Sequence, residues 1–191
     1  MPGDEVPALS FPSAAEWRQW LESEHASSGG VWLKIARRGG AEAGISHPEA
    51  LLEALCFGWI DAQKRSLDTN HWLQRFSPRK PGSRWSKINT EHAEVLIAAG
   101  RMRPAGQREV DAARADGRWD AAYLGQRTIQ VPDDLAQALA ANREAAAFFA
   151  TVSSQNRYAV LHRIGAVKRP ETRARKIAQY VAMLAAHETI H

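Results

Sequence analysis

The chain of 191 residues carries a single cysteine, Cys56. One thiol excludes an intramolecular disulfide and a multi-cysteine zinc site, and fits a reducing, cytoplasmic setting, the location expected here. No stretch approaches the roughly 18 uninterrupted apolar residues that a membrane span needs, so no span is expected. Met1 to Ser13 includes Asp4 and Glu5 and has no basic run ahead of an apolar core, so no secretory leader is expected in it. Internal repeats and low-complexity segments are missing. The chain has no cysteine pair, and no metal is expected. The glycines of Gly100 to Gly106 lack both phosphate-loop spacing and a Gly-Lys-Ser ending, and no cofactor is expected. What remains is ordinary for a globular protein, with 45% hydrophobic and 24% charged residues.

The net charge of +4 is unevenly spread. Between Gln63 and Lys87, seven cations (Lys64, Arg65, Arg75, Arg79, Lys80, Arg84 and Lys87) face Asp68 alone. Between Arg157 and Lys176, seven more (Arg157, Arg163, Lys168, Arg169, Arg173, Arg175 and Lys176) face Glu171 alone. Two basic segments on an otherwise acidic chain attract something anionic locally, or form solvated faces.

Ser13-Ala-Ala-Glu16 is a capping box, followed by Trp17, Trp20 and Leu21 on one helical face. Val31, Leu33 and Ile35 alternate with Trp32, Lys34 and Ala36 as in a strand. Arg37 to Gly44 reads as a polar loop. Ser46-His-Pro-Glu49 is a second capping box, opening a helix through Leu51, Leu52, Leu55 and Cys56 that Gly58 stops. Extended runs at 62–67 and 71–76 flank Asp68-Thr-Asn70, which is turn chemistry, so a hairpin is expected. Asn89 or Thr90 caps a helix on which Ile88, His92, Val95, Leu96 and Ala99 align. Pro104 opens a helix to about Ala115, closed by Gly117, and Pro132-Asp-Asp134 opens another. Phe148, Phe149 and Val152 form an apolar patch. A helix follows from about Gln155 to Val167, and Pro170 begins the last, with Ile177, Tyr180, Val181 and Leu184 in a stripe. The expected fold is α+β and mostly α: a small antiparallel sheet of about three strands, within residues 31–76, packed on helices, with a C-terminal helical bundle. The division expected is a core at 1–124 and a helical region at 125–191, joined as one compact unit.

Cys56-Phe-Gly-Trp-Ile-Asp61, Arg75-Phe-Ser-Pro-Arg-Lys80, Ser83-Arg-Trp-Ser-Lys-Ile-Asn89, Gly100-Arg-Met-Arg-Pro-Ala-Gly106, Asp116-Gly-Arg-Trp-Asp120 and Lys168-Arg-Pro-Glu-Thr-Arg173 are long phrases in a fixed order. With them the chain resembles the YdeI/OmpD-associated family, also labelled bacteriocin-protection proteins, from about Phe11 to Leu184. The resemblance brings no catalytic residues. The family label implies a link to an outer-membrane porin and to resistance against antimicrobial peptides, and so a periplasmic setting, which is at odds with the expectation of no secretory leader in Met1 to Ser13.

The densest constellation holds Trp59, Trp72, Phe76 and Trp85 among the central cations. Guanidinium forks, hydroxyls and amides suit a phosphate or carboxylate, and indole faces suit a ring. The expected ligand-binding set is Trp59, Asp61, Arg65, Arg75, Arg79, Lys80, Ser83, Trp85, Ser86 and Asn89. The start of the helix after Ser86 adds free N–H donors. Asp61 is the one candidate acid or base. A carboxylate among arginines is held ionised, which favours an orienting role beside Arg65 or Arg79 and a protein that is not an enzyme. Cys56, among apolar neighbours, reads as inert. Arg118 reads as the partner of an acid in a turn and Trp119 as a loop anchor. The leading expectation is a protein that binds a small anionic ligand. One alternative is non-specific nucleic-acid binding through Lys168, Arg169, Arg173 and Lys176. The other is a stress or peptide-resistance interaction protein with an exposed patch at Trp17, Trp20 and Trp32.

Overall fold

The computed structural model describes residues 8–37, 44–125 and 128–191. They form four strands and eight helices, in two compact units, Met1–Ala122 and Tyr123–His191. The fold is mostly helical α+β, with one small sheet in the first unit. The middle of the loop expected at Arg37 to Gly44 lies outside the described residues, as do part of the N-terminal segment and part of the stretch from Gly125 to Val131.

In the first unit the strand order is β1 (Ala8–Leu9), β2 (Val31–Ala36), β4 (His71–Pro78) and β3 (Trp59–Ser66). The central three strands are antiparallel, while β1 pairs in parallel with β2 through Ala8–Trp32 and Leu9–Leu33. The hairpin between β3 and β4 closes on Asp68, whose Oδ1 accepts the N–H groups of Asn70 and His71 at 2.7 Å each.

Register sorts the side chains by face, since residues two apart share one. Ile35, Trp72 and Ser66 lie in one cross-strand row, Leu33, Gln74 and Lys64 in the next, and Val31, Phe76 and Asp61 in a third. Val31, Leu33, Ile35 and Phe76 are buried there, so these rows form the inner face. A β-bulge between Asp61 and Lys64 adds one residue to β3. The Gln74 amide bridges the bulge by donating to the carbonyls of Ala62 (3.2 Å) and Gln63 (3.1 Å). Unbroken alternation would put Asp61 and Arg65 on one face; the bulge turns Lys64 and Ser66 inward and Arg65 outward.

Helix α1 (Ala14–Glu24) is capped by Ser13, which accepts from the Glu16 N–H. Helix α2 (His47–Cys56) opens on Ser46, whose N–H and hydroxyl both donate to Glu49 Oε2, at 3.0 and 2.6 Å. These bonds hold the Glu49 carboxyl below its ordinary range. Six of the ten α2 residues are buried, because α2 touches α1, β3, helix α3 (Lys87–Ala98) and helix α4 (Pro104–Ala115). Gly106 allows the last of these contacts: a Cβ there would lie 2.4 Å from the Cys56 carbonyl oxygen and 2.6 Å from that of Leu55.

Helix α3 departs from expectation. Ser86, not Asn89 or Thr90, is its cap, with its side chain accepting from the Asn89 N–H. Its buried face is Asn89, Thr90, Ala93 and Leu96, while Ile88 and Val95 are exposed. Polar Asn89 and Thr90 take inner positions, which a hydrophobic count assigns to Ile88 and Val95.

The second unit contains α5 (Asp133–Ala140), α6 (Arg143–Thr151), α7 (Ser154–Gly165) and α8 (Pro170–Ala185). Leu135, Leu139, Phe149, Leu161, Ile164, Ile177, Tyr180 and Leu184 build its core. The stripe on α8 packs inward as its spacing requires. Helix α6, capped by Asn142, stands where the sequence offered only an apolar patch. Among the described residues, no helix is long and apolar enough to cross a membrane.

Candidate functional site

The ten residues singled out by sequence are not gathered at one place. Trp59 is core: it sits edge-on to Trp17 and Trp20, with ring centroids 6.3 and 5.8 Å away, and its Nε1–H donates to the His25 carbonyl. Asp61 is paired with His47, Oδ2 to Nε2 at 3.0 Å, each side chain 29% exposed. Asp61 therefore meets an imidazole, while the bulge turns Arg65, one of its expected partners, to the opposite face. Arg65 lies on the outer face, its guanidinium 4.3 Å from the Trp32 ring centroid. Arg75 shares that face; its Nη2 donates to the Gly29 carbonyl, and burial depresses its pKa.

A second group surrounds the start of α3. Arg79 is buried, 3.6 Å from the Trp85 ring centroid, and donates from Nη1 to the Arg84 carbonyl. Trp85 packs on Trp119 at 4.9 Å. The Ser83 carbonyl accepts from Arg118 Nη1 at 2.7 Å, and Arg118 also pairs with Asp116. Ser86 and Asn89 are buried in the capping turn, and Lys80 is exposed. This group ties a loop and a helix start together: Arg118 pairs with an acid and Trp119 anchors.

Of the patch imagined at Trp17, Trp20 and Trp32, Trp17 and Trp32 are buried and Trp20 is packed on the core. Cys56 is fully buried. Burial pushes its thiol up, as does the charge of Glu53, against an opposing contact with Arg18. In the C-terminal basic segment Arg173 forms a fork with Asp134, at 2.5 and 3.0 Å, and Arg157 covers the Phe149 ring. Two of those cations are therefore engaged within the fold. No group of three metal-ligating side chains occurs among the described residues.

A cationic arrangement lies at the hairpin end of the inner face. A cleft of about 370 Å³ is lined by Arg37, Lys64, Arg65, Ser66 and Trp72. Its size falls within the range of about 300–1,000 Å³ typical of small-molecule sites, at the low end. Arg37 follows β2, and its Nη2 reaches Ser66 Oγ at 3.4 Å. Lys64 and Ser66 come from the inward side of β3 beyond the bulge, and Trp72 from β4 between them. Arg65 lines the cleft although its guanidinium lies on the outer face. None of the five is a carboxylate. Next to Trp72, the His47 ring stands 5.6 Å away at 33°, held by Asp61.

Arg65 is shared with the sequence-derived set, and Lys64 and Trp72 belong to the central constellation. Arg37, Ser66 and His47 were missed. Arg37 sits at a strand end and His47 at a helix start, and only tertiary placement makes them neighbours of β3.

Residues 9–109 match the family model described as a domain of unknown function (DUF8412). Residues 128–187 match the model described as bacteriocin-protection, YdeI or OmpD-associated. The resemblance read over Phe11 to Leu184 thus holds in a narrower, C-terminal span, and of its phrases only Lys168–Arg173 lies there. No curated protein and no solved structure matches the chain.

Proposed function

Because this chain belongs to DUF8412, a family described only by its unknown function, we propose a role from the cleft itself: it binds a small ligand bearing a phosphate or carboxylate. The observation that carries this reading is the joint lining by Arg37, Lys64 and Ser66, with no acid among the five described lining residues. A guanidinium fork, an ammonium and a hydroxyl can each donate to an oxyanion, and the first two also bring positive charge to it. The bulge makes the site, since it brings Lys64 and Ser66 to the side of the sheet that Arg37 and Trp72 share.

Titration with inorganic phosphate and pyrophosphate at low salt, followed by calorimetry, tests the reading. Arg37→Ala and Lys64→Ala should each weaken binding by about 1.5–3 kcal/mol, the scale of a hydrogen bond to a charged group. Arg65→Ala should change it by less than about threefold, because that guanidinium already lies over Trp32. Added salt should weaken binding through screening. Loss of binding in Arg65→Ala with normal binding in the other two variants would refute the assignment.

A further inference from the structure

Resting on that anion reading, we infer that the ligand also carries a flat ring, and that the ring docks on Trp72. The class this defines is a ring-bearing monophosphate of nucleoside monophosphate size. Trp72 lines the cleft that Arg37, Lys64 and Ser66 make cationic. Its indole is backed by the His47 imidazole, 5.6 Å away and inclined at 33°. That imidazole is fixed twice. Its backbone begins α2, under the Ser46–Glu49 capping bonds. Its Nε2 is held at 3.0 Å from Asp61 Oδ2. A ring supported this way is a rigid platform, and a rigid aromatic face costs little ordering entropy when a second ring stacks on it.

Phosphate donors and platform line one cleft from adjoining positions: Ser66 pairs directly with Trp72 across the strands, Lys64 lies in the next row, and Arg37 reaches Ser66 from just past the end of β2. A phosphate between Arg37, Ser66 and Lys64 therefore leaves an attached ring beside the indole. A cleft of about 370 Å³ has room for one such unit and not for a run of nucleotides.

The test compares inorganic phosphate, ribose 5-phosphate, adenosine and adenosine monophosphate by calorimetry on the full chain, in the native protein and in Trp72→Ala and Trp72→Phe. Thermal melts by circular dichroism confirm that each variant is folded. The native protein should bind adenosine monophosphate about tenfold or more tightly than ribose 5-phosphate, the effect of one base–aromatic stack. Trp72→Ala should abolish that difference while leaving ribose 5-phosphate within about twofold. Trp72→Phe should keep part of it. Equal affinities for the two phosphates in the native protein would overturn the ring inference and leave the anion reading standing. Equal weakening of both in a folded Trp72→Ala would do the same, by making Trp72 a scaffold residue. Failure of every phosphate probe to bind would overturn both.

Discussion

Trp17→Ala is expected to destabilise the first unit by about 3–5 kcal/mol, the cost of emptying a buried indole site. Trp17 has no exposed surface. Its ring is stacked on Trp20 at 5.2 Å and 12°, and it meets Phe76 at 5.8 Å and Phe11 at 5.4 Å. Each such pair contributes about 0.5–1.5 kcal/mol beyond area burial. Its Nε1–H also donates to the Ala50 carbonyl, a bond from α1 to α2 at 3.1 Å. That carbonyl belongs to a helix turn, so the dominant loss is packing. Trp17→Phe restores a ring without the donor and should recover roughly half of the stability. Fluorescence-monitored urea unfolding reads this cleanly, since all seven tryptophans precede Ala122 and report the first unit alone. A loss below about 1 kcal/mol would show that the aromatic cluster is not the centre of the core.

Glu53→Ala is expected to be the next most damaging change. Glu53 is a buried carboxylate gripped by two arginines: Arg18 Nη1 lies 2.6 Å from Oε2, and Arg101 Nη2 donates to Oε1. The three residues join α1, α2 and the turn after α3. Removing one partner of a buried pair strands the remaining charge, at about 3–5 kcal/mol in full burial. Arg18 is 23% and Arg101 44% exposed on their side chains, so water offsets part of that, and about 2–3 kcal/mol is expected. Arg101→Ala should cost less than about 1 kcal/mol, because Arg18 still neutralises Glu53. Denaturant midpoints at unchanged slope would measure both. Equal losses for the two variants would show that Arg101 is as essential to the clamp as the carboxylate.

These two clusters also show what was legible beforehand. The helix caps at Ser13 and Ser46, the strand at Val31–Ala36, the Asp68 turn, the opening of α4 at Pro104 and the stripe on α8 follow from local chemistry, and local chemistry is readable along the chain. Strand β1 is two residues long and exists through its pairing with β2, so no period reveals it. The face of α3 was misassigned because Asn89 and Thr90 are buried in a capping turn, where hydrogen bonding rather than hydropathy decides. Of the cleft's lining, Lys64, Arg65 and Trp72 fall in the segment where cations and tryptophans interleave, but indoles of this size also fill cores, as Trp59 and Trp85 do. The residues that line the cleft depend on a one-residue bulge. Counting by twos from Asp61 puts Arg65 on the inner face; the bulge puts Lys64 and Ser66 there.

The most direct test is backbone and indole chemical-shift mapping by NMR as inorganic phosphate is added at low salt. The resonances of Arg37, Lys64, Ser66 and the Trp72 indole should move together along one saturable curve, with the α3 start around Ser86 and Asn89 unchanged. Saturable shifts centred on Arg79, Ser86 and Asn89, or none at the hairpin end, would contradict a ligand site in this cleft.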